Sequence, residues 1–196
     1  MVPEIHPMVL LFASIFTSNI LLSNFLGMCS FIAISKDLKS ANGLGVAVTV
    51  VLTITAGVNY GVLQLLKVMG LEYLSFIVFI IVIAAVVQIL EMVIDRVSPA
   101  LYMSLGIFLP LITVNCAIMG AAIFLQIRNY DFIQSVFFGL GSGIGWWLAI
   151  VALSAIRQKV DKAPIPAGLQ GAGITLIIIG FMAMAFVGFS GMLPVQ

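Results

Sequence analysis

Two cysteines combine metal-binding or nucleophilic chemistry with an unusual setting: Cys29 and Cys116, each inside an apolar stretch and each following a helix-breaking residue. Gly27 precedes the first thiol by two positions and Pro110 the second by six. Proline removes a backbone donor and glycine weakens a helix, so both stretches are expected to be interrupted. A thiolate in hydrocarbon needs a cation, a metal or helix amides to keep it ionised, and a helix that restarts after a break aims free N–H groups at its first residues. Two thiolates are half of the four-cysteine set of a 2Fe-2S or tetrahedral zinc site; if they are ligands, a partner chain supplies the other two. The competing reading is a pair of small buried hydrophobes, a common role for free cysteine. Asn24 and Asn115 flank the thiols and either shape the site or pack. With Asn19 and Asn59 they are expected to hydrogen-bond a neighbouring helix or an irregular carbonyl. Glu91, in Gln88-Ile89-Leu90-Glu91-Met92, is an entry point for Na⁺ or H⁺, or an interfacial carboxylate that pairs with Arg96.

The elements that must position these groups are membrane helices. Of 196 residues, 63% are hydrophobic and only 8% charged, whereas a soluble domain carries roughly 25% charged side chains. Mean hydropathy is +1.28. Seven acidic and eight basic residues nearly cancel, which gives no reason to expect nucleic acid as a partner. Glu4 and His6 stand where a signal peptide would carry a basic flank, so the N-terminus is expected to be retained. Two cysteines in apolar segments make no disulfide framework.

Charges and turn residues divide the chain into six apolar segments: Met8 to Ser35, Leu44 to Leu66, Leu71 to Leu90, Ala100 to Ile127, Phe132 to Ile156 and Gly168 to Leu193. Each approaches or exceeds the roughly 20 residues that cross a bilayer as helix. With six spans, Lys36, Lys39, Arg96, Arg157, Lys159 and Lys162 share one side and only Lys67 and Arg128 the other. The positive-inside rule makes the first side cytoplasmic and both termini periplasmic. The first and fourth segments are the long, broken, cysteine-bearing ones. Long, plain, plain thus occurs twice, over about residues 1–98 and 99–196, within a single membrane domain. Three spans per half is odd, so the halves form an inverted repeat, which places the two thiols at equivalent depths.

Other motifs read as packing. Gly139-Leu140-Gly141-Ser142-Gly143-Ile144-Gly145 resembles a nucleotide loop but has no strand before it, and close helix contact through Gly141 and Gly145 is expected instead. Gly43 with Gly45 and Gly188 with Gly191 read alike. Trp146 and Trp147 lie too deep for an interfacial belt, and His6 is interfacial. The chain carries no catalytic triad, zinc motif or phosphate loop, hence no complete active site of its own. From these residues alone, a secondary transporter that binds a small substrate or ion at the midplane ranks ahead of an electron carrier.

Phe25-Leu26-Gly27-Met28-Cys29-Ser30-Phe31, Gln88-Ile89-Leu90-Glu91-Met92 and above all Leu105-Gly106-Ile107-Phe108-Leu109-Pro110-Leu111-Ile112-Thr113-Val114-Asn115-Cys116-Ala117 resemble the NqrD/NqrE and RnfA/RnfE membrane subunits. The likeness runs through Ile156-Arg157, Pro166 and Gly188-Phe189-Ser190-Gly191 and covers nearly the whole chain. Ser30, Val114 and Gly141 to Trp146 lean towards the NqrE branch, with RnfA close behind. Thr55 to Asn59 lacks the proline expected in NqrE, and Lys67 to Gly70 is short, as in RnfA. The resemblance implies a subunit of a respiratory, ion-translocating oxidoreductase in the bacterial inner membrane, which moves Na⁺ or H⁺. It implies that Cys29 and Cys116 ligate an intramembrane 2Fe-2S cluster shared with a homologous inverted subunit, NqrD-like or RnfE-like, that no flavin is bound by this chain, and that Glu91 lies on the ion path.

Overall fold

A computed structural model describes residues 6–97, 112–164 and 166–189. Among these, seven α-helices follow one another: α1 Pro7–Ile15, α2 Met28–Ile34, α3 Leu38–Met69, α4 Ser75–Val97, α5 Cys116–Arg128, α6 Phe132–Val160 and α7 Ala172–Val187, with 3₁₀ turns at Glu72–Leu74 and Ala167–Leu169. No strand occurs among the described residues. Three stretches, Leu38–Met69, Glu72–Val93 and Phe132–Val160, are long and apolar enough to cross a membrane; Cys116–Arg128 and Ala172–Val187 are shorter apolar helices.

The frame is the antiparallel pair α3 and α6. Glycines let their backbones approach. A Cβ at Gly139 would lie 2.8 Å from the Leu52 carbonyl oxygen, and one at Gly143 would lie 2.7 Å from Thr49 Cα. The intervening glycines face α1: a Cβ at Gly141 would meet the Leu11 carbonyl at 2.8 Å, and one at Gly145 the Ile15 carbonyl at 3.1 Å. The nucleotide-loop look of this run is therefore helix packing, as expected. Trp146 is fully buried, and Trp147 donates from Nε1 to Asn42 Oδ1 at 2.7 Å. Helices α4 and α5 lie against α3. Outward faces are apolar, with Ile77, Ile81, Phe181 and Met184 all exposed, as lipid requires.

The described connections gather at two ends of the bundle. Lys67 Nζ donates to Asn129 Oδ1 at 3.0 Å and Ser75 Oγ to Gln126 Oε1 at 2.9 Å, so the α3–α4 and α5–α6 connections share one end of the bundle. At the other end Arg157 Nη1 donates to Ser35 Oγ at 2.7 Å and to the Ile32 carbonyl at 3.0 Å. Arg157, expected as a loop charge, is instead buried, and its cation closes the C-terminal turn of α2.

Several boundaries differ from the sequence reading. The first segment is interrupted over residues 16–27, far more widely than a break at Gly27 alone. Lys39, Asn42 and Gly43, read as a connection, lie inside α3, because Asp37 caps that helix: its Oδ2 accepts from Ser40 N at 3.0 Å and Ser40 Oγ at 2.8 Å. Asp95 and Arg96, read as a break, continue α4 to Val97. The last helix starts only at Ala172, after Gly171 at φ +89°. Pro110 and most of the longest sequence motif lie outside the described residues. The hydrogen bond from the Ser40 hydroxyl, then that from its amide, hold the Asp37 carboxyl below its ordinary pKa. A depressed carboxylate stabilises the fold above its unfolded-state pKa and loses that contribution as pH falls through the folded value. Amides at the start of α3 should therefore exchange faster as pH is lowered through the carboxylate range, after correction for intrinsic rates. Asp37→Ala should show the fast exchange already at neutral pH.

Candidate functional site at two helix interruptions

Interrupting a helix in hydrocarbon frees backbone groups that water cannot satisfy. In the first interruption Asn19 answers for several of them: its Oδ1 accepts from Leu21 N at 3.0 Å and Leu22 N at 3.3 Å, and its Nδ2 donates to the Ile15 carbonyl at 3.0 Å. Ser18 N donates to the Ala13 carbonyl at 2.7 Å and Leu26 N to the Ile20 carbonyl at 3.2 Å. Phe25 at φ +55° and Gly27 at φ +87° make the left-handed turn from which α2 departs. A phenylalanine there is strained, whereas a glycine is not. Asn24 is exposed on this loop.

The second interruption, among the described residues, falls at Val114 and Asn115, immediately before Cys116 opens α5. Asn115 is the N-cap: its Oδ1 accepts from Ala117 N at 3.0 Å.

The two interruptions meet. Gly27 N–H donates to Cys116 Sγ at 2.9 Å, and Asn115 Nδ2 donates to Ser30 Oγ at 3.2 Å. Ser30 Oγ in turn donates to the Gly27 carbonyl at 3.1 Å. Residues far apart in the chain are thus closed into one hydrogen-bonded ring. Gly27 sits in its tightest part: a Cβ there would lie 2.7 Å from Trp146 Nε1, 3.1 Å from Ala117 Cβ and 3.2 Å from Asn115 Oδ1. Trp146 is held edge-on to Phe31, ring centroids 6.4 Å apart, with its Nε1 buried and unpartnered among the described residues.

Both thiols are exposed on the chain's surface; neither is the buried filler of the inert reading. Cys116 borders a mostly apolar crevice of about 290 Å³, walled by Ile80 and Ile83 of α4 and Met119 of α5. Glu91 stands apart, half-buried on α4, eight residues beyond Ile83 and so about 12 Å further along the helix. No group of three or more His, Cys, Asp or Glu that could hold a metal ion occurs among the described residues. Asn59, expected to bond a neighbour, is buried with neither amide atom partnered among the described residues.

Two cysteine-bearing interruptions, tied to each other through Gly27 with Cys116 and Asn115 with Ser30, set the chain beside known membrane proteins. The profile of the family described as Rnf-Nqr subunit, membrane protein, matches residues 8–193. The chain belongs to the Rnf-Nqr family of membrane subunits. Among curated relatives, it is 54% identical over 193 residues to the E subunit of the Na(+)-translocating NADH-quinone reductase of Yersinia enterocolitica serotype O:8 / biotype 1B, an alignment that covers 95% of this chain and 98% of that one. As an Rnf-Nqr family member it is a membrane protein, and the resemblance carried by its two cysteine motifs holds. Ser30, Trp146 and Arg157 stand within the quoted motifs, but their supporting contacts were not legible there. Asn115 directly before an apolar helical run was a legible capping signal.

Gly27→Ala should be costly, because it strains the backbone and drives a methyl group into Trp146 and Asn115. We expect a loss of about 1–3 kcal/mol, read as a lower thermal midpoint of the purified protein. Ala substitution at Gly61, where an added Cβ meets nothing within 4 Å, is the control and should leave the midpoint nearly unchanged.

Proposed function

We propose that this chain is an electron-transfer subunit of an ion-translocating respiratory oxidoreductase of the Nqr or Rnf type, in which Cys29 and Cys116 supply two of four thiolates to an intramembrane 2Fe-2S cluster. The observation that carries this reading is the Gly27 N–H on Cys116 Sγ, joined to the exposure of both thiols. An amide donor of this kind is a hydrogen bond that a metal-bound sulfur accepts, and surface placement leaves the sulfurs open to a second protein. The donor set fits half of such a cluster, so the other two ligands come from a homologous, inverted subunit, NqrD-like or RnfE-like. The name of the relative from Yersinia enterocolitica supports NADH-to-quinone electron flow coupled to Na⁺ as the setting.

When bound, the cluster supplies one-electron chemistry at that position. The chain's own residues prepare the place. Gly27 holds the Cys116 sulfur through its amide, Asn115 caps α5 and fixes the rotamer of Ser30, and Ser30 ties the turn back to Gly27. Trp146 and Phe31 fill the space behind the turn, and the sulfur is exposed on the other side. Glu91 is the ion-path carboxylate in this reading, and it stands on the same helix, α4, whose Ile80 and Ile83 border Cys116. The six-span inverted repeat within one membrane domain, with both termini periplasmic, is part of the same proposal. It is supported by the grouping of the connections at opposite ends of the bundle.

Replacing Cys29 or Cys116 with alanine in the assembled complex should abolish one iron-sulfur EPR signal while the complex still migrates intact on a native gel. An undiminished signal in either variant would sink the ligand assignment.

A further inference from the structure

Arg128 ends α5, yet its side chain does not run outward to water. It lies back over Phe124, one turn towards the start of the helix, with its guanidinium carbon 5.5 Å from the ring centroid, and Nη1 donates to the Tyr130 hydroxyl at 3.0 Å. A ring face and a neutral hydroxyl stabilise the cation but do not neutralise it, and among the described residues most of the donor fork is left over. Arg128 is half-buried in a chain whose surroundings are apolar. A charge left without neutralisation in such a place calls for a counter-ion.

A cavity of about 480 Å³ adjoins it. On one side stand Thr17, Ser18, Ser23 and Asn24 of the first interruption; on the other stand Gly180 and Met184 of α7. The polar wall offers hydroxyl and amide donors. The α7 wall is apolar, packs only lightly on the bundle, and continues into the exposed side chains of Met184 and Val187. The cavity therefore opens sideways, towards hydrocarbon.

We propose that this cavity binds an anionic phospholipid, with the headgroup phosphate on Arg128 and the hydroxyls of the interruption and the acyl chains along α7. The guanidinium fork matches two phosphate oxygens at once, and Thr17, Ser18 and Asn24 can donate to others. A free phosphate would leave the apolar wall unused. A metal cation would be repelled by Arg128. The proposal does not depend on the 2Fe-2S reading, since Arg128 and α7 belong to neither cysteine site.

The test uses the intact complex, purified in mild detergent, delipidated, and incubated with phosphatidylglycerol or with a diacylglycerol of the same chains. Native mass spectrometry should show phosphatidylglycerol retained and diacylglycerol lost. Arg128→Gln should weaken retention about ten-fold, as expected for one charge-assisted contact. Lys67→Gln, which removes the cation bonded to Asn129 on the same face, should leave it unchanged. Equal retention by the wild type and Arg128→Gln, or of the two lipids, overturns the proposal. So does displacement of phosphatidylglycerol by millimolar inorganic phosphate, which would assign the site to a free anion. Should Arg128→Gln fail to assemble, benzoylphenylalanine at position 184 decides: photo-crosslinking to lipid supports the site, and crosslinking to another protein chain overturns it.

Discussion

Hydrocarbon offers no hydrogen bonds, so a chain that breaks a helix inside it must satisfy the freed groups from its own atoms. Both interruptions of this protein obey that constraint, and they do so partly through each other. Asn19 accepts from two amides of the first break, Leu21 and Leu22, and Asn115 from one after the second, Ala117. The amide that remains at Gly27 finds a sulfur on the opposite half of the chain. One contact thereby satisfies a backbone amide and joins the two halves of the chain. Much else follows from it: the glycine at position 27, the small residue at Ala117, the bare indole edge of Trp146 and the hydroxyl of Ser30 are all needed for two helix starts to stand this close.

The functional consequence is positional. In the proposed ligand role a sulfur on a long flexible loop would change its distance to an electron donor with every fluctuation, whereas Cys116 opens a helix and Cys29 lies in the first turn of another. Pre-organisation of that kind is what a redox site needs, since hydrogen bonds to the sulfurs and the access of solvent set its potential. The family assignment gives this geometry its context, and the geometry explains why the two cysteine motifs carry glycine and asparagine in their particular places.

Sequence reasoning reached the helical membrane class, the interruptions near both cysteines and the packing role of the glycine run in α6, because periodicity, breakers and apolar length are local signals. It misjudged the width of the first break. Residues 16–24 contain no glycine or proline, and the loop persists there only through contacts of Asn19 and the preceding helix that no local pattern reports. It also ended α4 and began α3 at charged residues, where Asp37 and Ser40 form a cap and Arg96 simply continues a helix. The exposure of the thiols was illegible for a deeper reason: in a membrane protein both the core and the lipid face are apolar, so hydrophobic flanks do not say which way a side chain points. Asn59 shows the same limit, for a polar residue in a span was expected to find a partner and has none among the described residues.

The alternation of glycines along α6 has a mechanical meaning. Gly139 and Gly143 bring the backbone of α3 into contact from one side, while Gly141 and Gly145 do the same for α1 from the other. Bare backbone pressed on bare backbone leaves no deformable side chains to absorb a slide or a roll, so α1, α3 and α6 form one unyielding slab. Helices α4 and α7, which meet the slab through ordinary side chains, are the parts of the molecule with freedom to shift. Against those two helices the slab is a stator.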